Sequence, residues 1–348
     1  MAASLRELGL RIGALEPGPA GAITDVAGVR VGHVTVRRDE PDPPAGRGVA
    51  RSGVTAVLPA DPASLLGEPV PAGTAVLNGA GEMTGSLQIG EWGVLETPIY
   101  LTATMSVGRV YDGAVAAAVA ADPRVGVDAV VIPVVAECDD SWLNDARVVQ
   151  VEAADAGRAA QSATDGPVEQ GAVGAGTGMV CFGWKGGIGS ASRVAGGATV
   201  GVVVLANFGD YDELRKGGVP VGRLVDRVPS GSERRPAGSC IAVVATDAPL
   251  GSGDLTRLAR RAGLGLARTG SVAHHGSGEI FVAFSTSRET RPVGMDPLFT
   301  ATVDATEEAV LNCLWSAETT AGREGRAIEA LPHGEVLELL ECHGRLSR

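Results

Sequence analysis

Apolar runs of only five to seven residues, too short for a stable helix or a membrane span, recur along this chain and limit what it can fold into. Residues 54–58, 129–135 and 200–205 are rich in β-branched residues and closed off by Gly, Pro or Asp, the pattern of buried strands. Residues 108–121 are Ala-rich and predict a helix. The last third is the most regular. CIAVVA (240–245) predicts a strand, and residues 253–267 set Leu255, Leu258, Ala259, Ala262 and Leu266 on one helical face. Residues 279–285 alternate as a strand, and 303–317 carry Val303, Val310, Leu311 and Leu314 on one face of a helix. Strand, helix, strand, helix defines a mixed α/β class, expected as a single domain over residues 1–348. Two stretches with little to bury, 37–51 and 226–238 (DRVPSGSERRPAG), read as linkers, and the second stops abruptly at the strand of 240–245.

Glycine punctuates these runs. The chain has 50 in 348 residues, about twice the usual ~7%. No three-residue period is present, which excludes a collagen-like fibre. A net charge of −12 repels phosphate backbones, so no nucleic-acid partner is expected. The first dozen residues include Arg6, Glu7 and Arg11 and lack a signal-peptide core. A soluble cytoplasmic protein with no membrane partner is expected. Five widely spaced cysteines (Cys138, Cys181, Cys240, Cys313, Cys342) with no C-x-x-C predict buried free thiols. Lys185 and Lys216 are the only lysines, and the Arg excess reads as coding bias.

NGAGEMTG (78–85) looks like a dinucleotide loop but has one residue too many. It also lacks the acidic residue that should follow about twenty positions on. It reads as a glycine-rich turn beside a site. There is no P-loop, H-E-x-x-H or G-x-S-x-G. His33, His274, His275, His333 and His343 show no ligand spacing, so neither metal nor cofactor is expected, and each reads as an ordinary loop histidine. Gly-Ser occurs seven times, but only Gly238–Ser239 joins a linker to a strong strand. A serine there could attack the preceding carbonyl. An N→O acyl shift and hydrolysis would leave Ser239 as a new N-terminus, whose α-amine, with a pKa near ~8, can act as a base. The alternative is a loop serine at a strand start.

The surrounding strings carry a resemblance. They are AITDVAGVRVGHVTV (22–36), LNGAGEMTG (77–85), LTATMSVGRVYDGAV (101–115), PVVAECDDSWLND (133–145), GAGTGMVCFGWKGGIGSASR (174–193), ANFG (206–209), GSCIAVVATDAPL (238–250), LGLARTGS (264–271), GSGEIFVAFST (276–286) and ATEEAVLNCL (305–314). In this order, over about 290 residues, the chain resembles the P1 family of peptidases, the DmpA-like L-aminopeptidase/D-esterase group that includes β-peptidyl aminopeptidases.

The resemblance implies a four-layer αββα sandwich like that of N-terminal-nucleophile hydrolases with different connectivity. It also implies self-cleavage into 1–238 and 239–348, with Gly238–Ser239 as the scissile bond and Ser239 as the nucleophile. Asn207 of ANFG then donates to the oxyanion, and Ser277 relays the α-amine's proton. Glu279 orients Ser277 or pairs with the substrate ammonium. Relatives often have a tyrosine where Trp142 stands, so a hydroxyl role near the pocket is unfilled here. The implied substrates are short peptides, aminoacyl amides or esters, D- and β-amino-acid types among them, and the implied assembly is a homo-oligomer, commonly a tetramer of processed pairs. The competing readings are an acyltransferase like the ornithine acetyltransferases, which use threonine, and an inactive binding homologue. Cleavage predicts fragments of 238 and 110 residues, their shares of 35.1 kDa being about 24 and 11 kDa, on denaturing electrophoresis. Ser239→Ala should run as one chain, and a wild-type protein that stays whole would contradict the reading.

Overall fold

Strands that are apolar on both faces need a layer on each side, and the fold supplies them. The computed structural model describes residues 5–230 and 238–346. Along the chain come β1 (Arg30–Asp39), β2 (Val49–Leu58), α1 (Pro62–Leu65), β3 (Val70–Gly79), α2 (Ser86–Trp92), β4 (Val94–Leu95) and β5 (Ile99–Ala103). Then come α3 (Val107–Ala121), β6 (Val134–Cys138), α4 (Ala154–Gln161), β7 (Val180–Cys181), β8 (Trp184–Lys185), β9 (Gly187–Ala195) and β10 (Ala198–Asn207). These are followed by α5 (Val221–Leu224), β11 (Ser239–Thr246), α6 (Ser252–Arg268), β12 (Gly278–Ser285) and α7 (Met295–Ser316).

The main strands form a four-stranded sheet, β1-β2-β5-β6, and a six-stranded sheet, β4-β3-β12-β11-β10-β9. Val57, Leu101 and Ala136 of the first sheet meet Val203, Leu205, Ile241, Val243, Ile280 and Val282 of the second in one buried layer. The outer face of the first sheet, with Val54, Ala56 and Tyr100, packs on Val110 and Ala114 of α3 and Ala156 and Ala159 of α4. The outer face of the second, with Val202, Val204, Ala242, Val244, Phe281 and Ala283, packs on α6 and α7. Helix, sheet, sheet, helix is the expected αββα order. The one parallel pair in the larger sheet, β11 with β12, is joined through α6, as parallel neighbours require a long crossover. Helix α7 lies close against β9, where a Cβ at Gly189 would fall 1.9 Å from Ala309 O.

Several expectations are corrected. The strand placed at 129–135 is β6, Val134–Cys138; Val130 and Ile132 are 79% and 43% exposed. Residues 37–51 are no linker but the ends and turn of the β1–β2 hairpin, with Arg37 paired to Arg51. The stretch 279–285 does not alternate in burial, since every residue of β12 is buried. Helix α7 begins eight residues before the expected 303. His33 sits on β1, not in a loop, with Nδ1 2.9 Å from Thr55 Oγ1, and burial pulls its pKa down to about 4. Four cysteines are buried free thiols, but Cys342 is exposed. The linker expected at 226–238 falls mostly on 231–237, outside the described residues. Among the described residues no helix is long and apolar enough to cross a membrane.

Both lysines are fully buried. The Lys216 Nζ has no hydrogen-bond acceptor among the described residues and lies 4.2 Å from the centroid of the Trp315 ring. Burial pulls it down to about 7. An amine whose folded pKa lies below its unfolded value near ~10.4 destabilises the fold increasingly as pH falls from there towards 7. Lys216→Met should therefore stabilise the protein at pH 7 by about 1–3 kcal/mol. The gain should vanish towards pH ~10.4, as measured by urea unfolding at both pH values. A variant less stable at pH 7 would contradict this.

Candidate active site

Four strands of the larger sheet reach one line at its end. Asn207, the last residue of β10, is the register partner of Ser239, the first of β11. Ser239 in turn pairs with Gly278, the first of β12, and Gly278 with Gly79, the last of β3. Side chains alternate along a strand. Ser239 follows the period of Ile241 and Val243, and Asn207 that of Leu205 and Val203, so both point to the layer between the sheets. Glu279 pairs with Cys240 and shares the helix-side face of Cys240 and Phe281.

The scissile position expected from the sequence lies at this line. Gly238 O accepts a hydrogen bond from Gly278 N at 3.0 Å. A Cβ on Gly238 would come within 3.0 Å of Phe208 Cα. Ser239 is 5% exposed, and its hydroxyl has no hydrogen-bond partner among the described residues.

Asn207 is fully buried. Its Oδ1 accepts from Val180 N at 2.9 Å, and its Nδ2 donates to Asp139 O at 2.8 Å. These partners fix which end of the amide is nitrogen, and one Nδ2–H remains for a further acceptor.

The Ser277 hydroxyl donates to Glu279 Oε1 across their two-residue spacing. Glu279 Oε2 is buried without a hydrogen-bond partner among the described residues. Burial raises the Glu279 pKa, while the Ser277 hydrogen bond lowers it. The turn that presents Ser277 depends on His274, whose carbonyl accepts from Ser277 N at 2.8 Å and from Asn78 Nδ2 at 2.8 Å. His274 lies in the loop before β12 and shapes this turn through its backbone carbonyl. Its ring lies 3.1 Å from Glu213 Oε2 and 3.9 Å from Asp210 Oδ2 at the rim. Those three side chains could together hold a cation, and the His–Glu contact accounts for the cluster without one.

Trp142 stands apart from this line, half-buried three residues beyond Asp139. Its ring lies 4.3 Å from Arg326 Cζ, and its carbonyl accepts from Arg326 Nη1 at 3.2 Å.

Two charged residues escaped the sequence reading. Glu137, on β6, is 3% exposed, and burial raises its pKa. It accepts from Glu82 N at 2.9 Å and from Thr104 Oγ1. A Cβ on Gly81 would lie 3.0 Å from Glu137 Oε1 and 3.7 Å from Gly278 Cα, so the glycine-rich turn brings this carboxylate beside the start of β12. The signal in the sequence was a charge inside the apolar run VVAEC. The second is Lys185, whose ammonium bonds the carbonyls of residues 176, 179 and 186.

This four-layer αββα fold is that of a hydrolase of the N-terminal-nucleophile kind. The chain belongs to peptidase family S58, whose model matches residues 21–328, and it is a hydrolase of the serine aminopeptidase class. It is 42% identical over 373 aligned positions to the β-peptidyl aminopeptidase BapA of Sphingosinicella microcystinivorans, covering 98% of this chain and 93% of that one. Among solved structures, the PH0078 protein of Pyrococcus horikoshii OT3 superposes with a TM-score of 0.89 at 42% identity, covering 99% and 100% of the two chains. The L-aminopeptidase D-Ala-esterase/amidase of Ochrobactrum anthropi, described as a prototype of the serine aminopeptidases and a new variant of the Ntn hydrolase fold, gives 0.88 at 38% identity, covering 99% of each chain.

Removing the Ser277 hydroxyl would leave both Glu279 oxygens buried and unpartnered. Ser277→Ala should lower stability by about 1–3 kcal/mol at pH 7. The loss should shrink as pH falls through the raised pKa of Glu279, because the neutral acid costs less to bury. Urea midpoints at pH 7 and near the ordinary glutamate value of ~4.3 test this; an equal loss at both would contradict it.

Proposed function

We propose that the chain is a self-processing aminopeptidase whose nucleophile is Ser239 after cleavage of the Gly238–Ser239 bond. The observation that carries the reading is the register of Ser239 between Asn207 and Gly278, with the Gly238 carbonyl already held by Gly278 N. In the first step Ser239 Oγ attacks the Gly238 carbonyl carbon and loses its proton. The C–N bond breaks, and the Ser239 nitrogen takes up that proton as a free amine. The Gly278 N–H supports the developing oxyanion. Water then hydrolyses the ester, releasing the Gly238 carboxylate and restoring the Ser239 hydroxyl.

In turnover the same Oγ attacks a substrate carbonyl while the α-amine of Ser239, with Ser277 able to relay, takes its proton and passes it to the leaving amine or alcohol as the C–N or C–O bond breaks; water then hydrolyses the acyl-enzyme ester and restores the Ser239 hydroxyl. The remaining N–H of Asn207 Nδ2 stabilises the oxyanion. The ammonium of an aminopeptidase substrate needs an anion. Glu137 and Glu279 are buried carboxylates at this strand end with no cation paired to them among the described residues, and both suit that role. Trp142, three residues beyond the Asp139 whose carbonyl holds Asn207, is the outer contact for the far end of a substrate. The substrates are short peptides, aminoacyl amides or esters, and the β-peptidyl relatives favour β-amino-acid types among them. A homo-oligomer, with four copies of the processed pair, fits the apolar side chains left at the surface, such as Leu87 at 89% and Trp92 at 65% exposed on α2.

The test is hydrolysis of aminoacyl p-nitroanilides across pH. With the α-amine as base, kcat/KM should rise with pH through ~7–8. Asn207→Ala should lower kcat about 10²–10³-fold in fully processed protein. A profile flat from pH 5 to 9, or an undiminished Asn207→Ala, would overturn the reading.

A further inference from the structure

The β7–β8 hairpin is held against Asn207 at several points. Its two-residue turn carries positive φ at both Phe182 (48°) and Gly183 (72°), the conformation that a tight hairpin of this kind demands. The Phe182 ring meets the Phe208 ring edge-on at 5.1 Å, and Phe182 N donates to Phe208 O at 2.7 Å. A non-glycine residue in the left-handed region persists only where its surroundings impose it. Here the imposed geometry aims one peptide unit at Asn207.

That peptide joins Met179 to Val180. Its N–H donates to Asn207 Oδ1 at 2.9 Å. Its carbonyl accepts from Lys185 Nζ at 2.8 Å. The same ammonium donates to Gly176 O at 3.0 Å and Gly186 O at 2.8 Å. Lys185 is fully buried and has no carboxylate partner among the described residues, so its charge is directed into these carbonyls. Only a protonated amine has three N–H donors. The tripod therefore opposes the burial that pulls Lys185 down to about 7.

We propose that Lys185 is a positioning residue that holds and polarises the Asn207 amide through the 179–180 peptide, which rests on the reading of Asn207 as the oxyanion donor. The ammonium draws electron density from the peptide carbonyl, making its N–H a stronger donor to Oδ1. That bond in turn makes the free Nδ2–H more positive, because aligned hydrogen bonds polarise one another in a low-dielectric interior. The substrate oxyanion meets the far end of this chain. A residue acting this way changes kcat and leaves ground-state binding alone.

The test is a double-mutant cycle on the full chain, using wild type, Lys185→Met, Asn207→Ala and the double variant. Rates on an aminoacyl p-nitroanilide are normalised to the Ser239 N-termini present. Lys185→Met should lower kcat about 10-fold with KM within about twofold, and should cost less than about twofold in the Asn207→Ala background, since coupled residues are non-additive. An equal loss in both backgrounds, or a loss confined to KM, would overturn the relay and leave Lys185 a structural clamp. A wild-type kcat in Asn207→Ala would overturn the Asn207 reading itself. If Lys185→Met fails to fold, Lys185→Gln replaces it, keeping two N–H donors without the charge. It should show the same loss, and a wild-type kcat in that variant would show that the charge is not needed.

Discussion

The pairing of β11 with β10 on one side and β12 on the other governs everything at this end of the molecule. A slip of one residue in either pairing would turn Ser239 away from Asn207 and exchange its face with that of Cys240. The register is held because both faces of β11 are buried, with Ile241 and Val243 in the layer between the sheets and Ala242 and Val244 against the helices. Moving either set to the other layer would disturb two close-packed interiors at once. The backbone bond from Gly278 N to Gly238 O extends the pairing one residue past the strand. A bond in the chain thus comes to rest where a sheet would otherwise end.

Around that line the fold buries charge, which is costly unless each group is satisfied. Lys185 is satisfied by three carbonyls and Glu137 by a backbone N–H and a hydroxyl. Glu279 keeps one oxygen without a partner among the described residues. Unmet polar capacity next to a strand end is what a substrate ammonium or a transferred proton can use. Lys216 has no such setting: it lies under Trp315 and stands as a plain cost to stability.

Much of this was legible in the sequence where local pattern and burial coincide. CIAVVA became β11, and the stripe of Leu255, Leu258, Ala259, Ala262 and Leu266 became the buried face of α6. The two-residue spacing of Ser277 and Glu279 became a hydrogen bond. Local pattern failed where a partner decided the outcome. Residues 37–51 looked like a linker because Arg37, Arg38 and Arg51 have nothing to bury, yet a hairpin can leave charged side chains in solvent while its backbone pairs. Val130 and Ile132 looked like strand residues, but apolar type does not distinguish surface from core. Glu137 showed only as a charge inside the apolar run VVAEC, because its partners Glu82 and Thr104 lie far along the chain, and Lys185 gave no signal because backbone carbonyls, which no residue type marks, are what hold it. The two lysines, read as leftovers of a biased code, are both fully buried.

That burial makes one measurement decisive. With Lys185 and Lys216 enclosed, a small acylating reagent on the folded protein is directed to α-amines, and the one that processing would create is that of Ser239. Labelling the native enzyme, followed by intact-mass analysis and peptide sequencing, should find the reagent on the α-amine of Ser239 in a fragment of 110 residues, with hydrolytic activity lost in step. An active protein that remains a single chain of 348 residues, labelled only at its first residue and still active afterwards, would contradict the account.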